Sequence, residues 1–215
     1  MGGRGSGASL PSGSGENINI QETTDVWSYR HKQGNEPFVD AINTSVGRIQ
    51  NDFPDIMQTV DHVDAAKLGG KDAQQVLGYW DHGGKTLALN RNYTNIPKMN
   101  SVYDASVDSK YHPSRGNRTG TEAVTYHEMG HAVNEHIAQK MGTDFDTAAK
   151  TIVDRAYKNS GGTKGTKAWA GGISKYAQKN NAECIAEAMA DWYCNGNKAT
   201  KQSKAIMKEL KRANK

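Results

Sequence analysis

Cysteine is almost absent from this chain of 215 residues, which contains only Cys184 and Cys194. If both lie on one helix, the helical rise separates them by about 15 Å, which is too far for a disulfide bond. They also lack the C-x-x-C spacing that is typical of metal-binding and redox-active pairs. The sequence therefore predicts neither a disulfide framework nor a cysteine-based metal site, and it favours a reducing compartment.

Long apolar segments are missing as well. Hydrophobic residues make up 35% of the chain and aromatic residues 7%, and no stretch approaches the roughly 20 apolar residues that a membrane-spanning helix needs. The N-terminus lacks the apolar core of a secretory signal. We therefore expect no membrane contact and a cytoplasmic location, with a virion-associated protein or export by a non-classical route as the alternatives.

Composition divides the chain into three parts. Ten of the first fifteen residues are Gly or Ser, which is too little apolar surface to fold, so residues 1–24 are predicted to form a flexible tail. Residues 25–196 are predicted to form one domain. Residues 197–215 are predicted to form a basic helix, because seven Lys or Arg oppose one Glu from residue 198 onward. Such a helix could contact an acidic partner, nucleic acid or an anionic surface, and the alternative is a solvated helix.

The most informative motif is H-E-M-G-H, from His127 to His131. Two histidines four residues apart on a helix lie one turn apart on the same face, so both imidazoles can reach one Zn²⁺. The carboxylate of Glu128 would lie beside the metal, where it can accept a proton from a bound water. Thr119, which opens a T-x-x-E capping box, and Gly142, a natural stop, mark the ends of the predicted helix. The alternative is an amphipathic surface helix that happens to carry two histidines.

A third ligand is not supplied by this helix. The longer pattern H-E-x-x-H-x-x-G-x-x-H requires Gly and His where this chain has Asn134 and Ile137. His136 lies one position away from the required place and is expected to be solvated. A glutamate on a later helix is the other common solution, giving a site with two His, one Glu and a water.

Residues 180–195 offer such a glutamate. They are predicted to form a helix capped by Asn180, on which Glu183, Glu187 and Asp191 recur every four residues as one acidic stripe. Small side chains flank the stripe and would let another helix approach closely: Ala182, Ala186 and Ala190. Buried carboxylates need partners, and a metal with its histidines would be such partners. The alternative is a solvated acidic face.

Hydrophobic periodicity predicts two further helices. Residues 36–60 carry apolar side chains at helical spacing until Pro54 breaks the pattern, and residues 144–159 follow the same spacing. By contrast, residues 91–118 are polar and are expected to form a loop. The glycine-rich residues 160–173 are predicted to form a mobile rim over the site.

A β-hairpin is predicted between residues 76 and 90. The segments V-L-G-Y-W and K-T-L-A-L-N have strand composition, and residues 81–84 between them are D-H-G-G, a turn sequence. An exposed edge strand beside the motif helix could hold an extended peptide by main-chain pairing. K-T-L-A-L-N is the candidate for that strand, and an ordinary edge strand without a ligand is the alternative.

The motifs of residues 119–195 together resemble a known family. H-E-M-G-H-A-V, followed some fifty residues later by Y-x6-E-x3-E, is similar to the gluzincin metallopeptidases, including the anthrax lethal factor protease domain and phage-associated zincin-like domains. The resemblance implies an α+β, zincin-like fold. In that fold a small antiparallel or mixed sheet lies beside the active-site helix, and a helical part follows.

The resemblance also implies a role for each site residue. It implies three zinc ligands, which are His127, His131 and Glu183. Glu128 would be the general base, and Tyr176, seven residues before the third ligand, would donate its hydroxyl to the oxyanion. Glu187 would orient a ligand histidine through its free N–H. Glu187 and Asp191 have the same ligand-plus-acid spacing, so Glu187 as the third ligand stays open as the alternative.

We therefore predict a zinc metalloendopeptidase that hydrolyses peptide bonds in a protein or peptide substrate through a zinc-activated water. Two other interpretations use the same fold. One is a phage or prophage structural or maturation protein, whose partners would be phage structural proteins, and the other is an intracellular toxin or effector. Structural zinc sites usually have four protein ligands, and only three candidates can be named, which favours an enzyme.

Overall fold

A computed structural model describes residues 18–30 and 34–215 of the chain. The strands are β1 (Ile20–Asp25), β2 (His62–Leu68), β3 (Gly78–Asp81) and β4 (Thr86–Asn90). The α-helices are α1 (Val26–Arg30), α2 (Glu36–Asp52), α3 (Asp72–Gln75), α4 (Ile96–Asp108), α5 (Gly120–Met141), α6 (Phe145–Asn159), α7 (Thr166–Ala170), α8 (Asn181–Asn195) and α9 (Lys201–Ala213). Short 3₁₀ turns are Ile56–Gln58, Arg91–Tyr93, Tyr176–Gln178 and Gly196–Lys198. The predicted α+β class is confirmed.

The sheet is mixed, with the strand order β1-β2-β4-β3. β1 pairs with β2 and β3 pairs with β4 in antiparallel fashion, while β2 and β4 run parallel. The predicted hairpin is therefore confirmed as β3 and β4. Its assignment of K-T-L-A-L-N to the edge was wrong, because β4 has a partner on each side. Within the hairpin the edge strand is β3, because β2 pairs with the other side of β4.

One face of the sheet carries the main core. In β4, Leu87 and Leu89 are buried against the helices, whereas Ala88 between them belongs to a small second cluster on the opposite face. This alternation follows from the two-residue period of a strand. Helix α5 lies against β3 and β4 on the main-core face. The sheet thus supports the helix that bears the H-E-M-G-H motif.

Helix α5 has the ends that its sequence predicts. The backbone N–H of Glu122 donates to the Thr119 hydroxyl at 3.1 Å, and the Thr119 N–H donates back to the Glu122 carboxylate at 2.8 Å, which completes the capping box. Gly142 ends the helix in the left-handed conformation with φ of 64°. Every residue from Gly120 to Asn134 is buried. The interpretation of this segment as a surface helix is therefore excluded.

Helix α8 crosses α5 at very short range. A Cβ atom placed on Gly130 would lie 2.6 Å from the Cα of Ala186, a separation that real side chains do not adopt. The small residues that flank the acidic stripe thus allow the close helix approach that the sequence predicts. Because the two helices touch at this point, the carboxylates of α8 face the histidines of α5.

We expect Gly130→Ala to destabilise the protein by about 1–3 kcal/mol, because its methyl group overpacks a contact made by backbone. Gly47, in helix α2, is the matched control, since nothing lies within 4 Å of an added Cβ there. Gly47→Ala should stabilise the protein by about 0.5–1 kcal/mol through the helix propensity of Ala. Urea unfolding of both variants measures the difference. Equal stabilities for the two variants would contradict the close crossing.

Three expectations from the sequence need correction. Residues 91–118 are not a loop, because they contain helix α4, which Asn95 caps by accepting from the N–H of Lys98 at 2.9 Å. Residues 20–24, predicted to belong to the tail, lie in β1 instead; residues 1–17 lie outside the described part. His136 is buried rather than solvated, and its ring contacts the Thr59 hydroxyl at 3.1 Å.

The basic C-terminal segment forms helix α9, as predicted. Its apolar stripe is buried in the main core: Ile206, Met207 and Leu210. Its exposed lysines line a groove of about 790 Å³, whose wall includes Trp192. Contact of this helix with an acidic partner stays a prediction. Among the described helices, none has the length and apolar character that crossing a membrane would take.

Candidate metal centre

Helix α5 buries three chemically active side chains close together. His127, Glu128 and His131 are each at most 1% exposed, and one ligand atom from each lies within 4.8 Å of the others. The Nε2 atoms of both histidines have no hydrogen-bond partner in the described part of the chain. The one-turn spacing of the motif therefore places two unpartnered nitrogens on the same face of the helix.

Glu183 from helix α8 meets these two nitrogens. Its Oε2 lies 3.3 Å from Nε2 of His127 and 3.4 Å from Nε2 of His131. Asn180 fixes the start of α8 by accepting from the N–H of Glu183 at 2.8 Å, so this carboxylate occupies the first turn of the helix. No hydrogen bond reaches Oε2 from the described residues.

Two of the separations among these three atoms, those from Glu183 to each histidine, match the spacing of ligands on a tetrahedral metal ion. Two ligand atoms about 2.05 Å from one Zn²⁺ at the tetrahedral angle lie about 3.3 Å apart, which matches both observed separations. Leaving three buried polar atoms unpartnered costs free energy, and a shared cation would remove that cost. Two imidazole nitrogens and one carboxylate oxygen are also a donor set that Zn²⁺ accepts.

The electrostatics of the site follow from burial and mutual contact. Burial raises the pKa of Glu183, but the neighbouring His131 and His127 outweigh burial and hold it well below its usual range. Burial lowers the pKa of His131, only partly opposed by Glu183. Glu183 is therefore held as a carboxylate and His131 as a neutral imidazole, which are the forms that bind a metal. Burial lowers the pKa of His127, but Glu183 and Glu187 outweigh burial and raise it well above its usual value, so a metal at this site would have to displace a proton from His127.

Glu187, one turn further along α8, contacts the other side of the first histidine. Its Oε1 lies 2.8 Å from Nδ1 of His127, so the imidazole has Glu187 at one nitrogen and Glu183 at the other. Asp191 takes no part, because its carboxylate accepts from the Thr200 N–H at 2.8 Å and anchors helix α9. This arrangement favours Glu183 over Glu187 as the third ligand.

Glu128 faces the sheet edge. A Cβ atom on Gly78 in β3 would lie 3.2 Å from its Cγ, so the strand passes directly beside this side chain. Burial raises the pKa of Glu128 to about 8, opposed by His127 and by the backbone N–H of Trp80, while Glu183 and Glu187 raise it further. Neither carboxylate oxygen has a hydrogen bond of normal geometry. A nearby cation would lower this pKa and favour the carboxylate.

Tyr176 reaches the site from the short turn before α8. Its hydroxyl donates to Oε1 of Glu183 at 3.0 Å, the oxygen that does not face the histidines. The Lys179 ammonium lies 3.3 Å from the same hydroxyl. The Tyr176 ring stacks on the His127 ring with centroids 5.9 Å apart. Residues 160–173, the predicted rim, include helix α7 and the buried Trp169, Ala170 and Ile173, and their mobility stays a prediction.

Two residues of this centre have no counterpart in the sequence analysis. Nδ1 of His112 lies 2.9 Å from Oε1 of Glu187, and the Ser174 hydroxyl donates to Oε2 of Glu187 at 2.6 Å. Both precede the acidic helix in irregular segments, at spacings that belong to no metal-site pattern. Only the fold brings them to the centre, so no sequence signal could have found them.

Comparison of the chain with protein-family models, with curated proteins and with solved structures gave no match in any of the three. The functional argument therefore depends on the chemistry of the site itself.

Proposed function

We propose that this protein is a zinc-dependent metallopeptidase of the gluzincin type. The observation that carries the proposal is the approach of an unpartnered Glu183 oxygen to two unpartnered histidine nitrogens, at separations that fit tetrahedral ligands, on the helix that bears Glu128. Those atoms belong to His127, His131 and Glu183. An ion pair of Glu183 with the two histidines would not require Glu128 beside it, whereas hydrolysis requires a general base at that position.

Each residue would have a separate task in peptide hydrolysis. When bound, Zn²⁺ would supply Lewis acidity and lower the pKa of a coordinated water. Glu128 would accept the proton of the attacking water and pass it to the leaving amine. The Tyr176 hydroxyl would turn from Glu183 towards the oxyanion of the tetrahedral intermediate. His127, held by Glu187 through Nδ1, would keep its Nε2 lone pair directed at the metal.

The substrate would lie along strand β3. This strand pairs with β4 on one side, and no strand of the described chain pairs with its other side. Its backbone passes beside Glu128, so an extended peptide added to this edge would reach the general base. Both oxygens of Glu128 are closed off from solvent. Productive binding would therefore require the segments around β3 to open locally.

The proposal can be tested with a peptide library. The full chain, loaded with Zn²⁺, is incubated with peptides from a digested proteome, and new N-termini are identified by mass spectrometry. We expect cleavage that stops when a chelator removes the metal and returns when Zn²⁺ is added back. Stoichiometric zinc without any new N-terminus would oppose peptidase activity and favour a structural role for the fold.

The Tyr176 hydroxyl offers a separate prediction. Tyr176→Phe should lower kcat by about 10²–10³-fold, as loss of one oxyanion donor does, with KM and zinc affinity little changed. If the hydroxyl served only to hold Glu183, zinc affinity would fall and kcat of the loaded enzyme would not. Steady-state kinetics together with a zinc competition titration separate these two results. Tyr111→Phe is a suitable control, since its ring packs on Tyr176 with centroids 5.0 Å apart.

A further inference from the structure

His112 is a buried histidine contributed by a distant segment. It lies 75 residues before Glu187, in the chain between α4 and α5, and is 2% exposed. Its ring stacks on Tyr103 with centroids 5.8 Å apart and meets Tyr176 edge-on at 5.3 Å. These aromatic contacts fix the ring plane, and they leave Nδ1 directed at the carboxylate of Glu187.

Glu187 collects three polar contacts in this buried environment. Oε1 lies 2.8 Å from Nδ1 of His127 and 2.9 Å from Nδ1 of His112, and Oε2 accepts from the Ser174 hydroxyl at 2.6 Å. Both oxygens of Glu187 are thus engaged in polar contacts.

The ligand atoms of His112, His127 and Glu187 lie within 4.8 Å of one another, as they would in a metal site, but their separations are those of hydrogen bonds. Metal ligands of one Zn²⁺ are separated by about 3.3 Å, as Glu183 is from the two motif histidines. The contacts of Glu187 with His112 and His127 are 2.9 and 2.8 Å, which are charge-assisted hydrogen-bond lengths. A proton on Nδ1 of each histidine would complete these contacts, and it would leave Nε2 of His127 for the metal.

Glu187 supports one of the two proposed ligand histidines, His127, and not the other, His131. Nδ1 of His127 has Glu187, whereas Nδ1 of His131 has no hydrogen-bond partner in the described part of the chain. His127 is thus the ligand whose ring orientation depends on Glu187. Without His112, Oε1 of Glu187 would keep only its contact with His127, and the carboxylate could rotate away from that histidine.

We propose that His112 is a positioning residue for the metal centre: by donating Nδ1–H to Glu187, it fixes the carboxylate that orients His127. The role rests on the metal site of the proposed function but not on its peptidase activity. It also explains why a histidine is buried at this place, where an apolar residue would pack against the tyrosines without a polar cost.

The test compares His112→Asn with His112→Leu in the full chain. The two side chains have nearly the same size, but the Asn amide can donate in place of Nδ1–H and Leu cannot. We expect zinc affinity, measured by chelator competition, to fall about 10–100-fold in His112→Leu and to stay within a few-fold of wild type in His112→Asn. The visible absorption bands of the Co²⁺-loaded protein should change in His112→Leu alone, because they report ligand geometry.

His136→Leu is the matched control. His136 lies in α5 and is buried like His112, but its ring hydrogen-bonds Thr59 and Asn214 and not Glu187. This variant should leave both metal readouts unchanged, while thermal unfolding checks that each variant folds. Equal zinc affinities of His112→Leu and wild type, or an Asn variant as weak as Leu, would overturn the positioning role. If His112→Leu does not fold, the affinity and Co²⁺ spectrum of His112→Asn still decide. A wild type that binds no zinc would overturn the proposed function itself, which separates the two failures.

Discussion

Glu128→Gln is expected to keep one Zn²⁺ per chain and to lose peptidase activity by about 10²–10⁴-fold or more in kcat. The amide has the size of the carboxylate but cannot take a proton from water. Because no described residue hydrogen-bonds the Glu128 oxygens, the exchange breaks no such bond. It also removes a buried carboxyl whose pKa burial raises to about 8, so the variant should be at least as stable as wild type.

The measurement pairs zinc content, by elemental analysis, with the cleavage rate on a peptide identified from the library. Glu135→Gln is a control on the same helix, because Glu135 contacts His82 at 2.5 Å outside the centre. It should keep most of its activity. Undiminished cleavage by Glu128→Gln would remove the base from the mechanism, and loss of zinc from this variant would make Glu128 a ligand instead.

Glu183→Ala is expected to abolish stoichiometric zinc binding, as His127→Ala and His131→Ala should. Each of these residues would provide one of the three protein ligands proposed for the metal. Glu187→Ala should lower zinc affinity by only about 10–100-fold, because it removes orientation and not a metal bond. Chelator competition on the purified variants measures their zinc affinities and so ranks them.

Asp191→Asn completes this series as a control. Asp191 accepts from the Ser203 hydroxyl at 2.7 Å and from the Thr200 N–H, so its loss should weaken the docking of helix α9 and leave zinc affinity unchanged. A stronger zinc defect in Glu187→Ala than in Glu183→Ala would transfer the ligand role to Glu187. A zinc defect in Asp191→Asn would then support the alternative assignment, with Glu187 as the ligand and Asp191 as the acid four residues later.

Local chemistry made the helices of the centre predictable. The capping box at Thr119, the stop at Gly142 and the cap at Asn180 act within a few residues, so their effect is readable from the sequence. The one-turn spacing of His127 and His131 is equally local. Helix α4 was missed because only Met99, Tyr103 and Ser106 are buried along it, which leaves a weak apolar pattern over polar residues.

The order of the strands in the sheet could not be predicted from these local signals. The hairpin of β3 and β4 is local and was predicted, but which of them forms the edge depends on β2, whose residues lie more than a dozen positions earlier. The same holds for His136, which is buried because Asn214 of the C-terminal segment covers it. Pairing and burial of this kind depend on the whole packing arrangement, which a periodic pattern does not encode.

By itself, the sequence determined the pair of histidines on one helix face, the glutamate between them and the acidic stripe on a second helix. Tertiary structure decided which carboxylate meets the histidines, because the crossing of α5 and α8 at Gly130 and Ala186 sets the relative position of the two faces. It also decided that His112 and Ser174 complete the hydrogen bonds of Glu187. Spacing along a helix fixes which side chains share a face, whereas contact between segments 60 or 75 residues apart is fixed only when the core packs.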